Sequence, residues 1–142
     1  MRCMDAMKKD LFVVSPDDTV QVAARRMRNT NVGFLPVVDL TDRVLGVLTD
    51  RDITLRLAAV DRLASSCLVR DVMTVAAVCC RATDDLSVAE SLMVEHEKSR
   101  LLITSAEGLL QGVLSLSDIA QYEAPRRTGA TVRGVTAREA LW

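Results

Sequence analysis

Gly46-Val47-Leu48-Thr49-Asp50-Arg51-Asp52-Ile53 returns as Gly112-Val113-Leu114-Ser115-Leu116-Ser117-Asp118-Ile119, every position displaced by the same offset that carries Gly46 to Gly112. Each copy reads as the end of a strand running into the start of a helix. Thr49 and Ser115 stand where an N-cap belongs, and Asp52 and Asp118 follow at the capping-box position. Two readings share this pattern. In one, the residues simply cap a helix. In the other, the helix N-terminus offers N–H groups and partial positive charge to a phosphate, while the carboxylate accepts hydrogen bonds from two vicinal ribose hydroxyls. Recurrence at a fixed offset favours the ligand reading, because a cap alone rarely demands the preceding Gly and both apolar residues.

The repetition extends outward from these corners. Asp5-Ala6-Met7 reappears as Asp71-Val72-Met73 at the same offset, so the repeat begins before the first strand. Residues 11–14 form a short apolar run suited to a buried strand, and Ser15-Pro16-Asp17-Asp18 is turn and cap material for a helix starting near Asp18. Val20, Ala23, Ala24 and Met27 then recur at helical spacing. The second copy keeps this stripe as Leu86, Ala89, Glu90 and Met93, with Glu90 in place of Ala24. Phe34-Leu35-Pro36-Val37-Val38 reads as a strand whose Pro, lacking a donor, belongs at an edge or beside a cleft. It turns through Asp39-Leu40-Thr41-Asp42 into a returning strand, and residues 101–104 and 109–114 repeat the hairpin. The order strand, helix, strand, strand, helix therefore occurs twice. Ile53, Leu55, Leu57 and Ala58 carry a helix ending around Arg62. The last helix, near 116–122, gives way at Pro125. Residues 126–134 show little apolar periodicity, and Thr136-Ala137-Arg138-Glu139 offers a cap for one terminal turn that would anchor Leu141 and Trp142.

Composition narrows the class. The chain has 142 residues, 49% hydrophobic and 26% charged, which suits one compact globular unit. There is no run of membrane-span length and no signal-peptide core, so a cytoplasmic protein is expected. The four cysteines lack metal-ligand spacing, and Cys79-Cys80 aligns with Val13-Val14, so both read as small apolar strand residues. The net charge of −1 hides an uneven distribution: +1 over residues 1–66, −5 over 67–124 and +3 over 125–142. The basic tail is expected to dock on the acidic half or on a second subunit.

The Asp-x-Met openings, Val-Ser-Pro-Asp-Asp-Thr-Val at 14–20, Leu-Pro-Val-Val-Asp at 35–39 and the two Gly-Val-Leu-Thr/Ser-x-x-Asp signatures together resemble a tandem CBS-domain protein, or Bateman module, over residues 5–123. The resemblance implies an α/β (α+β) fold of two β-α-β-β-α repeats paired about a pseudo-twofold axis and commonly associated into homodimers. On this view residues 1–66 hold the first repeat with its N-terminal segment and linker, 67–124 the second repeat, and 125–142 a basic tail. It also implies binding of adenosyl ligands in clefts between the repeats: AMP, ADP or ATP first, then S-adenosylmethionine or NAD(H). Asp52 and Asp118 would hold ribose hydroxyls, with Thr49 and Ser115 near ribose or phosphate. The backbone of Val13, Val14 and Ser15 would recognise the adenine edge. Pro36 and Val37 would line the apolar wall, and Arg51 would reach a phosphate or lie solvated on the surface. In the second repeat Arg81, Ala82, Leu102 and Ser105 replace Ser15, Pro16, Pro36 and Asp39, so its adenine cleft is altered or closed. His96 has no partner His or spaced Cys, and reads as a helix-end surface residue.

The leading expectation is a regulatory module for an adenosyl small molecule, acting through an unidentified regulated protein or its own dimer, with no required cofactor. A ligand-free interaction module of the same fold is the alternative. Nucleic-acid binding through Arg25, Arg26, Arg28 and the tail ranks below it, and no membrane partner is expected. The chain is not read as an enzyme: it has no nucleophile elbow, Walker loop or metal cluster, and only one His.

Overall fold

The computed structural model describes residues 1–137 and 139. In place of the one compact unit expected from the sequence, its contacts divide the chain into two compact units, each with its own core. One is contiguous, Phe12–Ala77. The other joins Met1–Leu11 to the chain from Val78 on. Compact units and sequence repeats therefore divide the chain differently: the opening of each repeat belongs to the unit that carries the other repeat's hairpin.

In the contiguous unit, helix α2 (Val20–Thr30) starts at Thr19, whose side chain accepts from the Val22 amide, and buries Val20, Ala23 and Met27. It ends at Asn31 in the left-handed region, φ 54°, a conformation in which Asn is favoured among non-Gly residues. Strands β1 (Phe34–Val38) and β2 (Val44–Thr49) form an antiparallel hairpin with Phe34 opposite Thr49 and Pro36 opposite Val47. Helix α3 (Asp50–Arg56) follows directly, and a single 3-10 turn at Ala58–Val60 replaces its expected continuation to Arg62. The short helix α4 (Val69–Val72) closes the unit, and Cys67, Val69 and Val72 join Val14, Val20, Leu35, Val37 and Leu48 in its core.

The discontinuous unit repeats this plan. It comprises α1 (Cys3–Ala6), β3 (Cys79–Arg81), α5 (Leu86–His96), β4 (Arg100–Thr104), β5 (Leu110–Ser115) and α6 (Leu116–Ile119). The opening segments are docked alike. Cys3 and Met4 amides donate to the carbonyls of Asp84 and Ala82, as Val69 and Arg70 amides donate to those of Asp18 and Pro16. In the core Cys3 and Cys80 face each other as free thiols, Sγ to Sγ 3.8 Å. The shared hydrogen bond pushes the Cys3 thiol down and the Cys80 thiol up.

Two further sequence expectations change. Residues 11–14 do not form a strand: Val14 makes one parallel bridge to Val37, whereas β3 pairs with β4 over three residues. The cause is Pro36. In the discontinuous unit the Leu102 amide donates to the Val78 carbonyl at 3.1 Å. Pro36, its counterpart, has no N–H to offer Phe12, so the ladder shrinks to the bonds around Val14. Pro36 lies, as expected, in the edge strand of the two-stranded sheet β1-β2, where only the Val14 bridge adds to β1 and the missing donor keeps that neighbour short.

The second change is the tail. Pro125 starts a helix rather than ending one: α7 runs Pro125–Val135 with Pro in its first turn, where the missing N–H costs nothing. It lies on α5, and Gly134 permits the approach, since a Cβ there would stand 2.7 Å from Val94 Cγ1. Glu90, the polar residue in an otherwise apolar stripe, is buried beneath α7. Its Oε2 accepts from Thr131 Oγ1 at 2.8 Å and Arg127 Nε at 3.2 Å. The expected docking of the tail on the acidic half is thus seen in α7, which consumes Arg127 in a pairing inside the protein. The expected Leu141 and Trp142 anchor lies outside the described residues.

Candidate functional site

Both signature corners are complete capping boxes. The Asp52 amide donates to Thr49 Oγ1 at 3.1 Å, and the Thr49 amide donates to Asp52 Oδ2 at 3.0 Å. At the other corner the Asp118 amide donates to Ser115 Oγ at 3.1 Å, and Ser115 gives both its amide and its hydroxyl to Asp118 Oδ2, at 2.8 and 2.7 Å. Both carboxylates are buried, Asp52 8% and Asp118 9% exposed. The capped-helix reading is therefore physically realised. It uses only Oδ2 of each carboxylate.

The other oxygen is held from the exchanged opening segments. Thr74 Oγ1 donates to Asp52 Oδ1 at 3.1 Å, and Lys8 Nζ lies 3.4 Å from Asp118 Oδ1. Lys8 and Thr74 are themselves counterparts in the repeat, separated by the same offset as the two corners. The same segments explain the glycines. The Val47 and Thr74 amides each donate to the other's carbonyl, as do those of Lys8 and Val113. A Cβ on Gly46 would sit 2.4 Å from the Thr74 carbonyl oxygen, and one on Gly112 2.5 Å from Met7 Sδ. The signature Gly thus serves a close backbone approach, a structural demand that the sequence pattern alone credits to a ligand.

The remaining sequence-predicted residues fall on the same two sheets. Val14 is buried; its amide donates to the Pro36 carbonyl and its carbonyl accepts from Val38. The Val13 carbonyl accepts from Arg26 Nη1, and the Ser15 amide donates to Asp18 Oδ2 at 2.9 Å. Pro36 and Val37 are buried in β1. Arg51 is exposed in the first turn of α3. Val14 bridges Val37, and Thr49 faces Phe34. The two proposed contact regions are therefore separated along β1 by the step from Phe34 to Val37, about 10 Å at strand spacing. The same register recurs with Cys80 on Ile103 and Ser115 on Arg100. Arg81 keeps the backbone bond of Ser15, donating its amide to Asp84 Oδ2 at 2.8 Å.

Helix α3 is seven residues long and α6 four, so few aligned peptide dipoles stand behind either corner. Cationic side chains are the larger local field. Arg56 Nη1 lies 3.9 Å from Asp52 Oδ1 and also donates to the carbonyls of Val72 at 3.1 Å and Met73 at 2.8 Å. Its repeat counterpart is Tyr122. Arg56, Thr74 and Lys8 are site residues that sequence reasoning does not find. The visible signal is the position after each Asp-x-Met opening, which matters only once the segments are seen to exchange.

Among the described residues no helix is long and apolar enough to cross a membrane. None of their His, Cys, Asp and Glu side chains group to hold a metal ion.

Residues 3–59 and 69–124 each match the CBS domain. The chain belongs to the CBS family. It is similar to the CBS domain-containing protein YhcV of Bacillus subtilis, 38% identical over 116 residues, covering 82% of this chain and 81% of YhcV. It is also 38% identical over 111 residues to inosine-5'-monophosphate dehydrogenase of Methanocaldococcus jannaschii, covering 78% of this chain but only 21% of that enzyme. Among solved structures, a conserved CBS domain protein of Thermoplasma acidophilum superimposes with a TM-score of 0.81 at 20% identity, covering 94% of this chain and 75% of that one. CBSX2, solved in complex with AMP, gives 0.74 at 28% identity, covering 84% and 93%. This CBS pair is a regulatory module by family.

Proposed function

We propose that this CBS pair binds an adenosyl ligand at the Asp52 and Asp118 corners and reports its presence through a partner protein or its own dimer. The observation that carries the reading is the division of labour within each carboxylate. Oδ2 is spent on the helix cap, whereas Oδ1 is held by a side chain that a ligand hydroxyl can replace. A ribose diol offers such hydroxyls. The backbone of residues 13–15, about 10 Å along the strand, would meet the base. The AMP complex of the similar protein CBSX2 supports the same ligand class. Ligand occupancy changes the output only to the extent that the ligand favours one conformation over another.

Calorimetric titration of the nucleotide-stripped protein with AMP, ADP, ATP, S-adenosylmethionine and NADH tests the proposal. At least one should bind, and Asp52→Ala or Asp118→Ala should weaken binding about tenfold or more, as expected for loss of a charged hydrogen bond. A folded, stripped protein that binds none of the panel would instead be a ligand-free interaction module.

A further inference from the structure

The two corners differ in how their carboxylates are neutralised. At Asp52 the cation is Arg56, fixed by two main-chain carbonyls, and the side chain from the opening segment is the neutral Thr74. At Asp118 the position of Arg56 is held by Tyr122, and the cation comes from the opening segment itself as Lys8. Lys8 is 70% exposed at its side chain. The side chain of its partner carboxylate is only 11% exposed, so the pair is one-sided: the ammonium lies in solvent and can turn away, whereas the carboxylate cannot. Arg56 has no such freedom.

We infer that Lys8 makes the Asp118 corner selective for phosphorylated adenosyl ligands over uncharged ones. The inference rests on the adenosyl reading above and adds the charge of the ligand to it. When a ribose hydroxyl takes Asp118 Oδ1, the Lys8 ammonium is displaced from its partner but remains on a backbone pinned to Val113 by two hydrogen bonds, Lys8 N to Val113 O at 2.9 Å and Val113 N to Lys8 O at 3.0 Å. A released cation at that place is available to an anion on the ligand. A phosphate supplies one; adenosine does not. At Asp52 the displaced group is the hydroxyl of Thr74, which leaves no charge behind, so any preference for phosphate there falls to the exposed Arg51 in the first turn of α3, whose counterpart at the other corner is the neutral Ser117.

The test is an amide NMR titration of the full chain with AMP and with adenosine, because the Ser115 and Asp118 amides report one corner and the Thr49 and Asp52 amides the other. In the wild-type protein AMP should bind the Asp118 corner about two- to fivefold more tightly than adenosine, with the preference falling at high salt. Lys8→Thr installs the residue found at position 74 and should abolish that preference while leaving the Asp52 corner unchanged. Thr74→Lys should raise the AMP-to-adenosine ratio at the Asp52 corner above its wild-type value. An AMP-to-adenosine ratio at the Ser115 and Asp118 amides that is unmoved by Lys8→Thr overturns the role of Lys8 and leaves the adenosyl reading standing. Failure of both ligands to move any of the four amides in the wild-type protein overturns the adenosyl reading and this inference with it.

Discussion

At Asp52 an arginine pinned to the Val72 and Met73 carbonyls and a threonine hydroxyl share one carboxylate oxygen; at Asp118 a solvent-exposed lysine takes that place alone. The backbone around the two corners is nearly the same, down to the reciprocal cap and the exchanged strand segment. The repeat therefore preserves geometry while moving the charge from a helix to a loop. A duplicated fold can diversify its two sites without altering either backbone, provided the substitutions fall on segments that meet only after folding.

The largest expected break in this symmetry comes from the signature glycines. Gly46→Ala would drive a Cβ to within 2.4 Å of a main-chain oxygen, whereas Gly112→Ala meets first the flexible Met7 side chain at 2.5 Å and only then the Lys8 carbonyl at 3.0 Å. Overpacking against backbone should cost about 3 kcal/mol and against the Met side chain about 1 kcal/mol. Urea denaturation of the two variants measures the difference, and equal losses would show that the two segment pairings yield alike.

A smaller effect, of opposite sign, is expected at Pro36. Pro36→Leu restores the donor that Leu102 uses toward Val78. It should extend the Val14 bridge into a strand like β3, contributing about 1 kcal/mol for the added hydrogen bond. Hydrogen exchange at the new residue-36 amide is the direct readout. Rapid exchange there would show that something other than the missing N–H shortens the ladder.

The smallest effect concerns the hairpin turns. Asp39 Oδ1 accepts from the Thr41 hydroxyl and from the Thr41 and Arg43 amides. Ser105, its counterpart, serves the Glu107 and Leu109 amides with a neutral hydroxyl. The bonds from Thr41, followed by that from Arg43, hold the Asp39 carboxyl below the usual range. The folded value is thus the lower one: the contribution is complete above the unfolded-state pKa and disappears as pH falls through the folded one. Asp39→Asn should flatten the acid limb of stability measured from about pH 5 downward by a small amount, and Ser105→Ala should flatten it as well, because the Ser105 hydroxyl is the first cause that holds the Glu107 carboxyl below its usual range.

Fold class, the hairpins and the capped corners are legible in the sequence because each is written locally and then written again one repeat later. The same locality explains what is not legible. Helix α7 carries a narrow apolar face, with Thr131 and Val135 its buried residues, and docks through Glu90, a partner that helical periodicity within the tail does not reveal. Pro125 reads as a stop in the sequence, when its place in a first turn makes it a start. Lys8, Thr74 and Arg56 acquire their roles only because the openings of the repeats exchange, and sequence order gives no sign of which hairpin an opening will join. The signature Gly illustrates the reverse error: a residue with a main-chain reason counts, in the sequence, as support for a ligand.

The exchange also sets a schedule for synthesis. The unit formed by Phe12–Ala77 is contiguous, so every residue that completes its sheet and core is available once Ala77 has left the ribosome. The segment Met1–Leu11, made before any of them, finds its partners only when Asp84 and Val113 emerge. During that interval the amide and carbonyl of Lys8 have no strand to pair with, and one half of the protein must finish folding across a loop that encloses the other half, the slower kind of closure for a nascent chain.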